Sequence, residues 1–207
     1  AGNATDFGDL ATANSSLTSV SNDTRGVFCG GYDGSSDVNT LQYITIASAG
    51  NTSDFGDATT IFNYGGGCGS STRGVYSTGG RGTYEYITIA STGNGTSFGN
   101  VFSSKSGGAA ASNETRGIFG GGSSGELEYI TIASTGNGTD FGDLSVARNN
   151  FGATASLITA MFSGGNVYKD VIDTVTIAST GNASDFGDLT VARSYARALS
   201  DTPGGVQ

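Results

Sequence analysis

The chain has 207 residues, a net charge of −9 with nine basic side chains, 36 Gly, one Pro, two Cys, no Trp and no His. So few cations exclude a phosphate-neutralising stripe for nucleic acid. The missing imidazole excludes a Ser–His–Asp triad and histidine metal sites.

Apolar runs of only a few residues are too short to span a membrane. Ile, Val, Phe and Tyr alternate with Thr and Ser, and with this much Gly the mixture favours pleated strands over helices. The opening "AGNATDFGDL" falls in mid-pattern and does not read as a signal peptide. Its tetrad Asp6–Asp9 recurs as "DFGD" at Asp54–Asp57, Asp140–Asp143 and Asp185–Asp188, and as "SFGN" at Ser97–Asn100. From Phe7 through Phe55, Phe98 and Phe141 to Phe186 the steps are 48, 43, 43 and 45 residues. Periods of roughly 40 to 50 residues belong to propellers or helical solenoids, and no 3.6-residue pattern of Leu and Ala supports helices.

After each tetrad comes a strand of small residues, as in "GGGCGSS" (Gly65–Ser71) and "GGAAASN" (Gly107–Asn113). An apolar strand follows: "TRGVF" at Thr24–Phe28, "TRGVY" at Thr72–Tyr76, "TRGIF" at Thr115–Phe119 and the worn "ITAMFSGG" at Ile158–Gly165. Beyond a variable loop lies a third strand and a turn, "YITIASAGN" at Tyr43–Asn51, "YITIASTGN" at Tyr86–Asn94 and Tyr129–Asn137, and "TVTIASTGN" at Thr174–Asn182. Alternation puts Tyr, Thr and Ala on one face and Ile, Ile and Ser on the other, so both faces expect cover. The tetrad then reads as a turn closing the unit. Units are expected over 8–55, 56–98, 99–141 and 142–186, with partial units at 1–7 and 187–207.

The chain starts just after a third strand and ends at "ALSDTPGGVQ" (Ala198–Gln207), aligned with the start of a second. Joined, the two ends lack roughly twenty residues of a fifth unit. The expectation is a piece of a longer array, or a ring completed by a neighbouring chain, because bare strand edges recruit partners.

An apolar step, a Gly–Gly doublet, a loop, a Tyr and a later aromatic resemble the kelch repeat, as does the "DLxxAR" start at Asp143–Arg148 and Asp188–Arg193. The late aromatic here is Phe where kelch units usually carry Trp. The resemblance implies an all-β, kelch-like β-propeller of four full repeats plus two partial ones. More narrowly, the wording around "YITIASTGN" and "DFGDLTVAR" resembles repeat arrays in structural proteins of marine bacteriophages, including those infecting cyanobacteria. That likeness implies a virion or tail-associated part.

Several residues invite chemistry. The paired acids Asp6/Asp9, Asp54/Asp57, Asp140/Asp143 and Asp185/Asp188 suit either Ca²⁺ oxygens or turns whose carboxylates cap backbone N–H groups. Ser97 and Asn100 at the third copy favour the turn. Arg25, Arg73 and Arg116 suit an anionic sugar, or pairing with an Asp of their own or the next unit to hold units in register. Tyr32, Tyr64, Tyr84, Tyr168 and Tyr195 suit sugar stacking or packing between units. Cys29 and Cys68 are either buried free thiols or one bridge. Eight Asn-x-Ser/Thr sites (Asn3, Asn14, Asn22, Asn51, Asn94, Asn113, Asn137, Asn182) follow from turn chemistry, and would become glycan sites only in a eukaryotic secretory pathway.

No catalytic, cofactor or metal residue emerges. The expectation is a non-enzymatic structural or interaction module of a phage virion, tail fibre or extracellular assembly, an adhesin or receptor-binding part with protein partners and homo-oligomeric assembly. The alternative is a glycan-binding, lectin-like propeller. A glycosidase needs two carboxylates facing across a cleft, and these acids recur with the repeat instead.

Overall fold

The computed structural model describes residues 2–122 and 124–198. Its sixteen strands form four antiparallel sheets of four, each a meander in chain order, one sheet per repeat. The first sheet holds β1 (Thr18–Ser21), β2 (Arg25–Cys29), β3 (Val38–Thr45) and β4 (Ser53–Phe62). The second holds β5 (Gly67–Gly69), β6 (Arg73–Ser77), β7 (Thr83–Thr88) and β8 (Thr96–Asn100). The third holds β9 (Ala109–Ser112), β10 (Arg116–Gly120), β11 (Glu126–Thr131) and β12 (Thr139–Asp143). The fourth holds β13 (Gly152–Ala155), β14 (Thr159–Ser163), β15 (Lys169–Thr176) and β16 (Ser184–Arg193). Among the described residues the one helical piece is a 3₁₀ turn, Gly79–Arg81.

Short polar side chains make the first hairpin of each sheet. Asn22 Oδ1 accepts the Thr24 and Arg25 N–H groups at 3.0 and 2.9 Å, and Asn113 does the same for Thr115 and Arg116. Ser70 and Ser156 Oγ replace it in the second and fourth sheets. Such local bonds stabilise a turn over helix or a longer strand.

The first strands are built of Gly, Ala, Ser and Thr apart from Val20 and Cys68, and they pack in sequence: β1 on β5, β5 on β9, β9 on β13. Their small side chains let neighbouring sheets approach closely. A Cβ on Gly74 would run into Val20, and one on Gly117 into the Cys68 sulfur. The glycine of "TRG" therefore provides the hollow that receives the previous sheet's side chain.

At the head of each first strand sits one residue with left-handed φ, Ser16 (56°), Tyr64 (53°), Gly107 (65°) and Asn150 (54°), and Tyr195 (56°) takes the same conformation after β16. Each lies nine residues after its repeat's Phe. They are joined in series by single backbone bonds, Tyr64 N–H to Ser16 O, Gly107 to Tyr64, Asn150 to Gly107 and Tyr195 to Asn150, at 2.9, 3.0, 2.6 and 2.8 Å. Four of the five carry side chains, so each holds a costly conformation of roughly 1–2 kcal/mol, offset by this chain of bonds. Thr18, Gly65, Ala109, Gly152 and Arg197 surround one cavity of about 110 Å³.

The apolar interior is not a single core. Among the described residues it is three seams, each between consecutive sheets. Val27, Phe55 and Phe62 of the first sheet meet Tyr76, Ile87 and Ile89 of the second. Tyr84 and Phe98 meet Phe119, Ile130 and Ile132. Phe141 and Leu127 meet Phe162, Val175 and Ile177. The expectation of cover on both faces of the "YITIAS" strand is met on one face only: in the inner sheets Ile87, Ile89, Ile130 and Ile132 are buried, whereas Tyr86 and Tyr129 are half-buried and Thr88, Ala90, Thr131 and Ala133 are exposed. In the first sheet Ile46 is 44% exposed, where its equivalents Ile89, Ile132 and Ile177 are buried.

One expectation is corrected. The tetrads at Asp54–Asp57, Ser97–Asn100, Asp140–Asp143 and Asp185–Asp188 lie within the fourth strand of each sheet, not in a turn after it, while Asp6–Asp9 precedes the first sheet outside any strand. The register skips the Phe each time: Leu41 pairs with Gly56 and Gln42 with Asp54, leaving Phe55 without a partner opposite, and Phe98, Phe141 and Phe186 repeat this. This is a β-bulge, which re-aims the extra residue, here into the seam for Phe55, Phe98 and Phe141 but not for Phe186. The expected alignment of Ala198–Gln207 lies, from residue 199 onward, outside the described residues.

Candidate interaction surface

The repeated residues converge on the seams. The bulges at Phe55, Phe98 and Phe141, and the Asp6–Asp9 segment ahead of the first sheet, each dock on the Gly–Asn turn of the sheet that follows. Gly50, Gly93, Gly136 and Gly181 donate their N–H to the carbonyls of Phe7, Phe55, Phe98 and Phe141 at 2.7, 2.7, 2.8 and 2.7 Å. Asn51, Asn94, Asn137 and Asn182 accept, through Oδ1, the N–H of Asp9, Asp57, Asn100 and Asp143 at 2.9 to 3.1 Å. A Cβ on Gly8, Gly56, Gly99 or Gly142 would collide with the carbonyl of that same turn. The recurring Asn-x-Ser/Thr wording thus has a mechanical cause: the Asn side chain fastens one sheet to the next.

The first Asp of each tetrad caps its own glycine, with Asp6, Asp54, Asp140 and Asp185 Oδ1 accepting the N–H two residues on at 2.9 to 3.2 Å. This is the capping role expected of a turn residue, performed at a bulge. Among the described residues, no group of three or more His, Cys, Asp or Glu side chains is placed to hold a metal ion.

Arg25, Arg73 and Arg116 do hold sheets in register, but not through aspartate. Each guanidinium lies over the Tyr of its own sheet, Tyr43, Tyr86 or Tyr129, at 4.5, 4.4 and 4.3 Å. Each Nη1 donates to a backbone carbonyl of the next sheet, Ile89, Ile132 or Ile177, at 3.2, 3.0 and 2.9 Å. A planar cation suits both tasks at once. The fourth sheet has Thr159 and Thr174 at these two positions and so lacks the clamp. Arg73→Ala is expected to cost about 2 kcal/mol, from a charge-assisted bond and a cation–π contact. Arg73→Lys should recover little of it. Urea denaturation checks both, and an Arg73→Ala protein as stable as wild type would remove the clamp from this account.

A further repeated position escapes a reading by motif. Gln42, Glu85, Glu128 and Asp173, mid-way along the third strands, are all buried. Each accepts a backbone N–H from the segment entering its sheet: Ala11, Thr59, Phe102 and Ser145, at 2.8, 2.9, 2.6 and 3.1 Å. Their spacing of 43, 43 and 45 residues is legible in the sequence once sought. Glu128 also receives the Tyr84 hydroxyl and lies 3.9 Å from Lys105 Nζ, with both side chains fully buried. Burial pushes the Glu128 carboxyl above its ordinary range and the Lys105 ammonium below its own. The Tyr84 hydroxyl is raised, first by burial and then by the Glu128 charge. In the fourth sheet Arg148 Nη1 meets Asp173 Oδ2 at 2.6 Å, again fully buried.

Cys29 and Cys68 are buried free thiols in different seams, their ionisation pushed up by burial. The tyrosines divide. Tyr84 is a buried strand residue packed on Phe119 at 4.6 Å. Tyr32 and Tyr64 are partly exposed, whereas Tyr168 and Tyr195 are 69% and 56% exposed and share an open groove of about 550 Å³ with Arg193 and Arg197.

No protein-family model matches the chain, and no curated protein matches it at a significant level.

Proposed function

We propose that the four sheets are blades of a kelch-like β-propeller array and that the chain is a non-enzymatic interaction module of a virion, tail-associated or other extracellular assembly. The observation that carries the propeller reading is the series of five left-handed residues, bonded one to the next, whose following segments border a single cavity. Strands that converge on an axis need small side chains there, and Gly, Ala and Ser supply them. The module reading rests on where the recurring residues are spent. The Gly–Asn turns, the Arg clamps and the buried acids all fasten sheet to sheet, and the two end sheets keep an unseamed face for protein partners. The phage resemblance of the repeat wording supplies the setting.

An antibody raised against the purified protein tests this. On particles released by the source organism, label on the particle surface supports the reading, and label confined to the cell interior overturns it. The glycan-binding alternative rests on the groove bearing Tyr168 and Tyr195. A glycan array favours it if one sugar class binds and Tyr168→Ala with Tyr195→Ala abolishes that signal.

A further inference from the structure

The three seams are made by a recurring set of parts, and the outgoing face of the fourth sheet carries that set, save the arginine clamp, unused. Phe186 is 61% exposed, where Phe55, Phe98 and Phe141 are 2–3% exposed. A Cβ on Gly187 would meet nothing within 4 Å, although its equivalents Gly56, Gly99 and Gly142 face a glycine carbonyl of the next sheet. Arg193 stands 45 residues after Arg148 and 88 after Lys105. Both of those cations pair with a buried acid on the next third strand. The incoming face of the first sheet is the counterpart. Ile46 is exposed, and Gly26 meets only the side chain of its own sheet's Ile44, where Gly74 and Gly117 receive a neighbour's side chain. Thr18 and Arg197 border the same cavity, so the two faces flank one position about the axis.

We propose that these two faces jointly bind the central strand pair of a fifth repeat unit supplied in trans. The partner is a hairpin with an Arg–Gly–aliphatic–aromatic strand and a Glu–Tyr–Ile–Thr–Ile strand running into a Gly–Asn turn. The inference rests on the propeller reading. Its turn takes the Phe186 carbonyl and the Asp188 N–H, its acid takes Arg193 and the Thr190 N–H, and its Arg clamps the Ile46 carbonyl. A second intact copy of the chain does not fit this position, because its own strands of this pattern are already held within sheets.

The test titrates a synthetic peptide of residues 114–138, which contains that strand pair and turn, into the full chain. Saturable one-to-one binding is expected, weakened about tenfold or more by Phe186→Ser in the protein or Asn137→Ala in the peptide. Amide-exchange protection should appear at 186–190 and 44–46. As a second arm, residues 113–134 are fused ahead of Ala1. The fusion should raise the thermal midpoint by several degrees, and Phe186→Ser should cancel the rise.

Absent binding together with an unmoved midpoint overturns the proposal. Equal binding of a scrambled peptide also does, as does concentration-dependent self-association that Phe186→Ser removes, which would make the occupant a second copy. X-ray scattering separates the two readings. A compact radius of gyration near ~17 Å without hairpin binding sinks only this proposal, and an extended rod sinks the propeller.

Discussion

Asp173→Ala is expected to cost about 3–5 kcal/mol, because it leaves the buried Arg148 guanidinium without its counter-charge. Arg148 is wholly enclosed: Nη1 reaches Asp173 and the Val146 carbonyl, and Nη2 the Phe162 carbonyl, at 2.6, 3.1 and 2.9 Å. The same carboxylate accepts the Ser145 N–H at 3.1 Å, so the mutation also orphans a backbone donor. Asp173→Asn keeps an acceptor for Ser145 and should be milder than alanine while still well below wild type. Urea denaturation gives the size of the effect. Amide exchange gives its place, since an array of units contacting only their neighbours opens locally. Loss is expected in β13–β16 and the third seam, with the first seam unchanged. A variant within 1 kcal/mol of wild type would show that the pair contributes little to holding the fourth sheet.

The second large effect comes from adding one methyl group. Gly142 and Gly187 have nearly the same φ, 141° and 143°, but a Cβ on the first collides with the Gly181 carbonyl and on the second meets open space. Backbone strain of roughly 1–3 kcal/mol burdens both alanine variants equally. Overpacking adds roughly 1–3 kcal/mol only at Gly142, so the difference between the two variants measures the docked turn alone. Gly99→Ala completes the set, since its φ lies outside the left-handed region and its collision is with the Gly136 carbonyl. Thermal unfolding of the three proteins side by side checks this. Equal losses at Gly142 and Gly187 would mean that the turn yields easily and the seam tolerates it.

Much of this architecture is readable from spacing. The period of Phe7, Phe55, Phe98, Phe141 and Phe186 locates one sheet per repeat, because identical seams demand identical parts. The alternation in "YITIAS" correctly assigns its two faces, since a strand's side chains alternate strictly. The tetrads are misread as turns for a physical reason: Gly and Asp are depleted in strands, and a bulge breaks the period of two at the residue that matters. The arginine partner is hidden because it is a carbonyl, and backbone acceptors leave no trace in residue identity. The buried acids look like solvent-facing charges in "YEYIT" and "LEYIT". Only their recurrence as Gln42, Glu85, Glu128 and Asp173 separates them from ordinary surface residues.

Each seam needs the outgoing side of one sheet and the incoming side of the next, and it draws nothing from a third. Unequal recombination between such similar stretches of coding sequence can therefore insert or excise a whole unit while every surviving junction keeps its full chemistry. The length of a lineage's array is free to drift, and selection need act only on the two outermost surfaces that remain.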